Sequence, residues 1–224
     1  MLKDGGVMTV PVASEESGAT LKVLSVDSTL NTPKGEIPVG LGSPRDLALH
    51  GMLHFVIQSA GVFPREQVIE ISTADGAVHT SISLSSGDLI LQDDHTAVGM
   101  VDLDKAFGES AFGELRLRAL PGDGTVGNWV TLGKLVRRPH ISAVHCTSVG
   151  VPTCMIEGSD LFLALSFSTT EAFTSAIPVP PGFDGSNFAI PMKPYSHGST
   201  IYVRLRDDPE GVATIRIPVK GTHP

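Results

Sequence analysis

The chain has 224 residues, of which 41% are hydrophobic and 18% are charged, and its formal net charge is −8. This composition supplies enough apolar surface for a folded core and excludes a disordered chain. The negative charge repels phosphate backbones and the absence of long apolar runs leaves nothing to span a bilayer, so we expect neither a nucleic-acid partner nor membrane insertion.

The N-terminal segment MLKDGGVMTVPVASEESG lacks the basic stretch followed by an apolar stretch that marks a secretory signal. We expect residues 1–18 to form a flexible leader and residues 222–224 a short tail. If the parent protein is exported, the chain is then a fragment or a processed form.

The clearest alternation of apolar and polar residues covers positions 46–58. Its apolar positions fall on one face of an extended segment: Leu47, Leu49, Leu53, Phe55 and Ile57. His50 and His54 fall on the other face, about 13 Å apart, which is too far to chelate one ion. The pattern predicts a half-buried strand with both histidines facing solvent.

Similar patterns predict strands at 66–73, 77–84, 88–92, 96–102 and 113–120, separated by Asp-Gly and Ser-Gly turns. Residues 103–110 are the helix candidate of this half. A second set of strands begins after Arg138-Pro139, and the prolines at 178, 180 and 181 predict an edge strand or a crossover loop there. We therefore predict an all-β chain, with one antiparallel β-sandwich over residues 19–138 and another over 139–221.

Part of the second half, MIEGSDLFL with the later STIYVRL, resembles the transcription-factor-type immunoglobulin-like (IPT/TIG) pattern. The matching residues are Ile156, Gly158, Leu161 and Leu163. In the first half, LRLRALPGDGTVGNW resembles the late hairpin of an immunoglobulin-like or fibronectin-like module. The resemblance implies two tandem immunoglobulin-like sandwiches in a larger bacterial surface or secreted protein, and it carries no catalytic residue across.

Cys146 and Cys154 are separated by seven residues that include Gly150 and Pro152. A tight loop of this kind can bring two cysteines to the distance that a disulfide needs, and a disulfide indicates an oxidising compartment. Two alternatives stay open: a zinc site with His145, for which the ligands are too few, and two free cysteines.

Asp93, Asp94 and His95 form the compact acidic and imidazole cluster of the sequence. These side chains suit a divalent metal, but aspartates are also common in polar turns. The same two interpretations apply to Asp207 and Asp208.

Three cations, Lys134, Arg137 and Arg138, end the last strand of the first half, where we expect them to be solvated. Aromatic residues are few, so a contact with a glycan or protein partner would rest on Tyr195, in a proline-rich loop, or on Trp129, which we expect at the core or its rim.

These features favour a noncatalytic module, a spacer, adhesion or partner-binding unit that is joined to neighbouring domains of a larger secreted or cell-surface protein. No nucleophile motif, HExxH motif or phosphate loop occurs, so we expect no enzyme and no cofactor. Two alternatives remain: a hydrolase or lyase with a loop site at Asp93, Asp94 and His95, and a structural protein of a virion or phage tail.

Overall fold

The computed structural model describes residues 20–30, 32–120, 126–147, 150–191 and 199–217. The predicted leader, the tail and Tyr195 lie outside the described residues. The strands of the first part are β1 (Leu21–Leu30), β2 (Val39–Gly40), β3 (Asp46–Ala48), β4 (Gly51–Ser59), β5 (Val68–Thr73), β6 (His79–Ser83), β7 (Leu89–Leu91), β8 (Thr96–Asp102), β9 (Gly113–Leu120) and β10 (Val130–Val136). Those of the second part are β11 (His140–Thr147), β12 (Thr153–Ser159), β13 (Ala164–Ser168), β14 (Ile177–Pro178), β15 (Asn187–Pro191), β16 (Thr200–Leu205) and β17 (Ala213–Arg216).

The chain is all-β, as predicted. Within the described residues, one five-residue α-helix, α1 (Leu103–Phe107), and one turn of 3₁₀ helix (Leu161–Leu163) accompany the strands. Asp102 caps α1 by accepting a hydrogen bond from the backbone N–H of Lys105, and Gly108 ends the helix with a φ of 76°. No helix in this part of the chain has the length and apolar character needed to cross a membrane.

Two sheets enclose the first core. One has the strand order β1-β4-β8-β7, and the other has the order β3-β10-β9-β5-β6. All neighbouring strands are antiparallel except β3, which runs parallel to β10. Their inward side chains form one apolar cluster that includes Leu53, Phe55, Ile69, Leu115 and Leu117, all at most 1% exposed.

Two further sheets, β11-β12-β15 and β14-β13-β16-β17-β2, enclose the second core. Ile156, Phe167, Ile201, Val203 and Ile215 are fully buried in it. The segment with Pro178 forms β14 at the edge of its sheet, where the missing proline N–H breaks no ladder, as predicted.

Strand β2 links the two halves because it precedes most of the first core in sequence but pairs with β17 of the second half. Val39 and Val136 are accordingly buried in the second core. The chain passes close to the second half just after β2, where a Cβ at Gly42 would clash with the backbone carbonyl of Val212. The boundary at residue 138 stays a prediction, and residues of the first segment complete the second sheet.

The single strand predicted over positions 46–58 is wrong, because the segment forms two strands in different sheets. β3 pairs with β10, while β4 pairs with β1 and β8. The predicted inward face is nevertheless buried on both sides of the break: Leu47, Leu49, Leu53, Phe55 and Ile57. His50 falls at the bend between the strands and does not share a strand face with His54.

Candidate functional site at the junction of the two halves

The end of strand β10 is held by an aspartate of the second half. The guanidinium of Arg137 donates from Nε to Oδ2 of Asp207 and from Nη2 to Oδ1, both at 2.8 Å, and its backbone N–H donates to Oδ2 at 3.1 Å. The Asp207 side chain is 4% exposed. The hydrogen bond with Asp207 raises the pKa of Arg137. This planar, two-point pairing fixes both the distance and the orientation of the two groups.

A second ion pair lies next to the first. Nζ of Lys134 lies 2.5 Å from Oδ1 of Asp208. Asp46, on β3, faces the same group, and its pKa is raised first by burial and then by the negative charge of Asp208. Two acidic side chains therefore share one lysine, and the ionised form of Asp46 is destabilised.

The third cation of this stretch is buried. Arg138 is 8% exposed, and its Nη1 donates to the backbone carbonyl of Val39 on β2 at 2.9 Å. Burial lowers its pKa to about 10, while the carboxylate of Glu36 acts in the opposite direction. The prediction of a solvated strand end is thus wrong for Lys134, Arg137 and Arg138. Asp208 and Asp207 of the second half bind Lys134 and Arg137, and the carbonyl of Val39 on β2 binds Arg138.

Two histidines face each other beside Arg138 at the junction. Nδ1 of His50 is hydrogen-bonded to Oδ2 of Asp104 at 3.1 Å, and Nδ1 of His140 is hydrogen-bonded to Oε2 of Glu36 at 3.1 Å. Their ring centroids are 5.0 Å apart. An ionised carboxylate can only accept, so each Nδ1 carries the proton in these pairs. The solvent-facing interpretation of His50 is therefore wrong.

A polar cleft of about 580 Å³ opens beside His140, between Glu36, Glu157 and Ser186. A carboxylate that orients an imidazole is part of many catalytic sites, but such a site also needs a nucleophile or a metal. Among the described residues, no serine hydroxyl hydrogen-bonds to the His140 ring. The contacts of His50, His140 and Glu36 connect the segment before β2 with the start of β4 and the start of β11.

The predicted Asp93, Asp94 and His95 cluster forms the turn between β7 and β8. Oδ1 of Asp93 accepts a hydrogen bond from the backbone N–H of His95 at 2.7 Å, and this bond lowers the pKa of Asp93. Nδ1 of His95 lies 3.0 Å from the carbonyl of Gly61. The turn borders an open cleft of about 720 Å³. Across the described ranges, no group of three or more His, Cys, Asp or Glu residues is arranged to hold a metal ion.

Trp129, the other predicted contact residue, lies on the outer side of the sheet with β9. The guanidinium carbons of Arg116 and Arg118 lie 4.3 and 4.2 Å from the centroid of its ring. Arg118 also pairs with Glu70 at 2.6 Å. The indole is therefore engaged in cation–π contacts, which compete with a sugar ring for its faces.

The two cysteines lie directly opposite each other on β11 and β12, with their Cα atoms 4.0 Å apart, and they are disulfide-bonded in the structure. Cys154 is fully buried in the second core. The predicted pairing distance is confirmed. With both sulfurs engaged, the zinc alternative loses its thiolate ligands.

The sequence patterns did not predict the junction, although most of its charged residues were predicted separately as solvated or as possible metal ligands. Two cations, Lys134 and Arg137, lie in one half, and two adjacent aspartates, Asp207 and Asp208, lie in the other. This equal number of opposite charges was the feature of the sequence that could have indicated the ion pairs. Neither any protein-family model nor any curated protein sequence matches this chain.

Proposed function

We propose that the chain is a noncatalytic structural or binding module of a larger secreted or surface protein, built as two tandem immunoglobulin-like antiparallel β-sandwiches. Each half supports this proposal with two sheets around one apolar core. Neighbouring domains of the larger chain would be joined at its ends, and its partners would be proteins or glycans.

The observation that carries the proposal is the braced junction. Interfaces between domains usually allow relative motion unless they are large or strongly bonded. Here a strand of the first segment completes a sheet of the second half, and Arg137 with Asp207 adds a nearly buried two-point pair. A spacer or an adhesion unit needs a fixed angle between its parts, and these contacts supply one.

The disulfide supports the proposal that the protein is secreted or exposed at a surface. Cytosolic thiols are kept reduced, whereas disulfides persist in secreted and surface proteins. The bond between Cys146 and Cys154 closes a short loop between adjacent strands. We infer an oxidising compartment for the mature protein.

The experiment uses protein isolated from its natural source. Under denaturing, nonreducing conditions we expect no free thiol, and in intact cells or particles we expect labelling by an impermeant amine reagent. Small-angle scattering of the recombinant chain should fit one rigid body. Two free thiols together with complete protection from the reagent would refute the location, and a scattering curve that requires many interdomain angles would refute the spacer role.

A further inference from the structure

We propose that two copies of this chain associate through the outer face of the β1-β4-β8-β7 sheet, an interaction beyond the proposed function. On β4, Phe55 and Ile57 point into the core, so Val56 between them points outward. Val56 lies opposite Val98 on β8, which lies opposite Ile90 on β7. These three side chains form an apolar row across the sheet, with Ile90 51% exposed.

The row continues onto the edge strand. β1 contains a β-bulge between Val23 and Ser25, and the extra residue, Leu24, is 48% exposed. Met100 and Met52 lie further along the same outer face, opposite His54 and Asp102. Val56 and Val98 are partly exposed, whereas Leu24, Ile90 and Met52 are exposed, so apolar surface reaches each of the four strands. Contiguous apolar patches of this kind are typical of an interaction surface, because single exposed apolar residues are common but contiguous patches are not.

The charges beside the row indicate the occupant. Lys22 is opposite Gln58, on one side of the row, and Asp27 is opposite His54, on the other side. Gln58 and His54 are each two residues from Val56 along β4, so the two charges are equally far from the row. A twofold axis along the row therefore places Lys22 against the partner's Asp27, and by symmetry the contact occurs twice.

The other simple arrangement is disfavoured by charge. A twofold axis parallel to the strands would bring β1 against β7 of the second copy. Asp27 would then face the partner's Asp88. Both residues lie at the same level of the sheet, because Asp27 is opposite His54, His54 is opposite Met100, and Met100 donates its backbone N–H to the carbonyl of Asp88. Like charges in direct contact are unfavourable, so the face selects the first arrangement.

The size of the face fits a reversible dimer. Strands β1, β4, β8 and β7 have 10, 9, 7 and 3 residues, which at about 3.4 Å per residue and about 4.8 Å between strands cover roughly 470 Å² on each copy. The total of about 950 Å² is in the range of small, transient interfaces. We therefore expect association that depends on protein concentration.

The test is sedimentation velocity of the whole chain over a range of concentrations. We expect a monomer–dimer equilibrium for the wild type. Val98→Asp places two carboxylates near the axis and should leave only monomer, whereas Val151→Asp, at a site 76% exposed in the second half, should leave the equilibrium unchanged. Circular dichroism checks that each variant is folded, and Val98→Thr provides a milder change if Val98→Asp is not.

Charge exchange tests the geometry of the pair. Lys22→Asp alone and Asp27→Lys alone should each raise the dissociation constant about tenfold or more, because each places like charges in contact. The double variant exchanges both charges and should bring the constant back to about the wild-type value. A wild-type chain that is monomeric at every concentration, a dimer that persists in the folded Val98 variants, or a double variant as weak as the single ones would overturn the proposal.

Discussion

Arg137, directly after strand β10, and Asp207, in the loop after strand β16, are 70 positions apart in sequence and form a bidentate pair across the two halves of the chain. The carboxylate is almost completely buried, so water cannot take the place of either hydrogen bond, and loss of the pair is costly. The pair therefore fixes the second half against the last strand of the first.

We expect Asp207→Ala to lower the free energy of unfolding by about 3 kcal/mol, because the change leaves the partly buried Arg137 without its counter-charge. Urea denaturation measures the loss. Asp184→Ala, at an exposed position, is the matched control and should change the stability by less than about 0.5 kcal/mol. Adding Arg137→Met to Asp207→Ala should recover part of the loss, and a fully additive double mutant would contradict direct coupling.

The passage of the chain after β2 makes a second prediction. Gly42→Ala should destabilise the protein by about 2 kcal/mol or more, since the added Cβ would clash with the carbonyl of Val212 and push β2 away from β17. Gly61→Ala is the control, because a Cβ there meets no atom within 4 Å. Thermal unfolding of the two variants gives the comparison, and equal melting temperatures would show that β2 tolerates displacement.

Period-two alternation was enough to predict the all-β class, because buried and exposed residues alternate in any half-buried strand. It could not predict that residues 46–58 change sheets, since inward residues stay inward on both sides of the break at His50. Nor could it predict that β2 crosses to the second half, because a two-residue strand has no pattern of its own. The junction depends on pairs such as Lys134 with Asp208, whose long separation in sequence carries no local signal.

The shared position of Asp46 and Asp208 predicts a pH effect. Burial and the neighbouring carboxylate raise the pKa of Asp46 in the folded protein, so its ionised form costs stability above that pKa. Asp46→Asn should therefore stabilise the protein at pH 7, by roughly 0.5 kcal/mol after allowance for its partial exposure. The advantage should vanish as the pH falls below the ordinary aspartate value, where the wild-type group is protonated in both states.

Chemical denaturation at pH 7 and at pH 3 measures this difference. Asp88→Asn, at an exposed position, serves as the control and should show little change at either pH. An Asp46→Asn protein that is less stable than the wild type at pH 7 would mean that the attraction to Lys134 outweighs burial and the repulsion from Asp208.

Substitutions in the turn with Asp93, Asp94 and His95 distinguish a structural role of this turn from a catalytic one. We expect Asp93→Ala to cost about 1 kcal/mol, because the carboxylate accepts the backbone N–H of His95. Asp94→Ala and His95→Ala should leave the metal content and all screened hydrolytic activity at the wild-type level. Loss of a bound metal or of an activity in either variant would instead favour the hydrolase or lyase alternative.

The disulfide gives the last prediction. Replacing Cys146 and Cys154 together by alanine should lower the free energy of unfolding by about 2.5 kcal/mol, the chain-entropy value for a loop of about eight residues. Reduced wild-type protein should match the double variant, because both lack the cross-link. The far-UV spectrum should stay the same, since the backbone pairing of β11 with β12 and of β12 with β15 does not depend on the bond. Urea denaturation with and without reductant makes the measurement, and a wild type whose stability is unaffected by reductant would show that the bond only fixes local geometry.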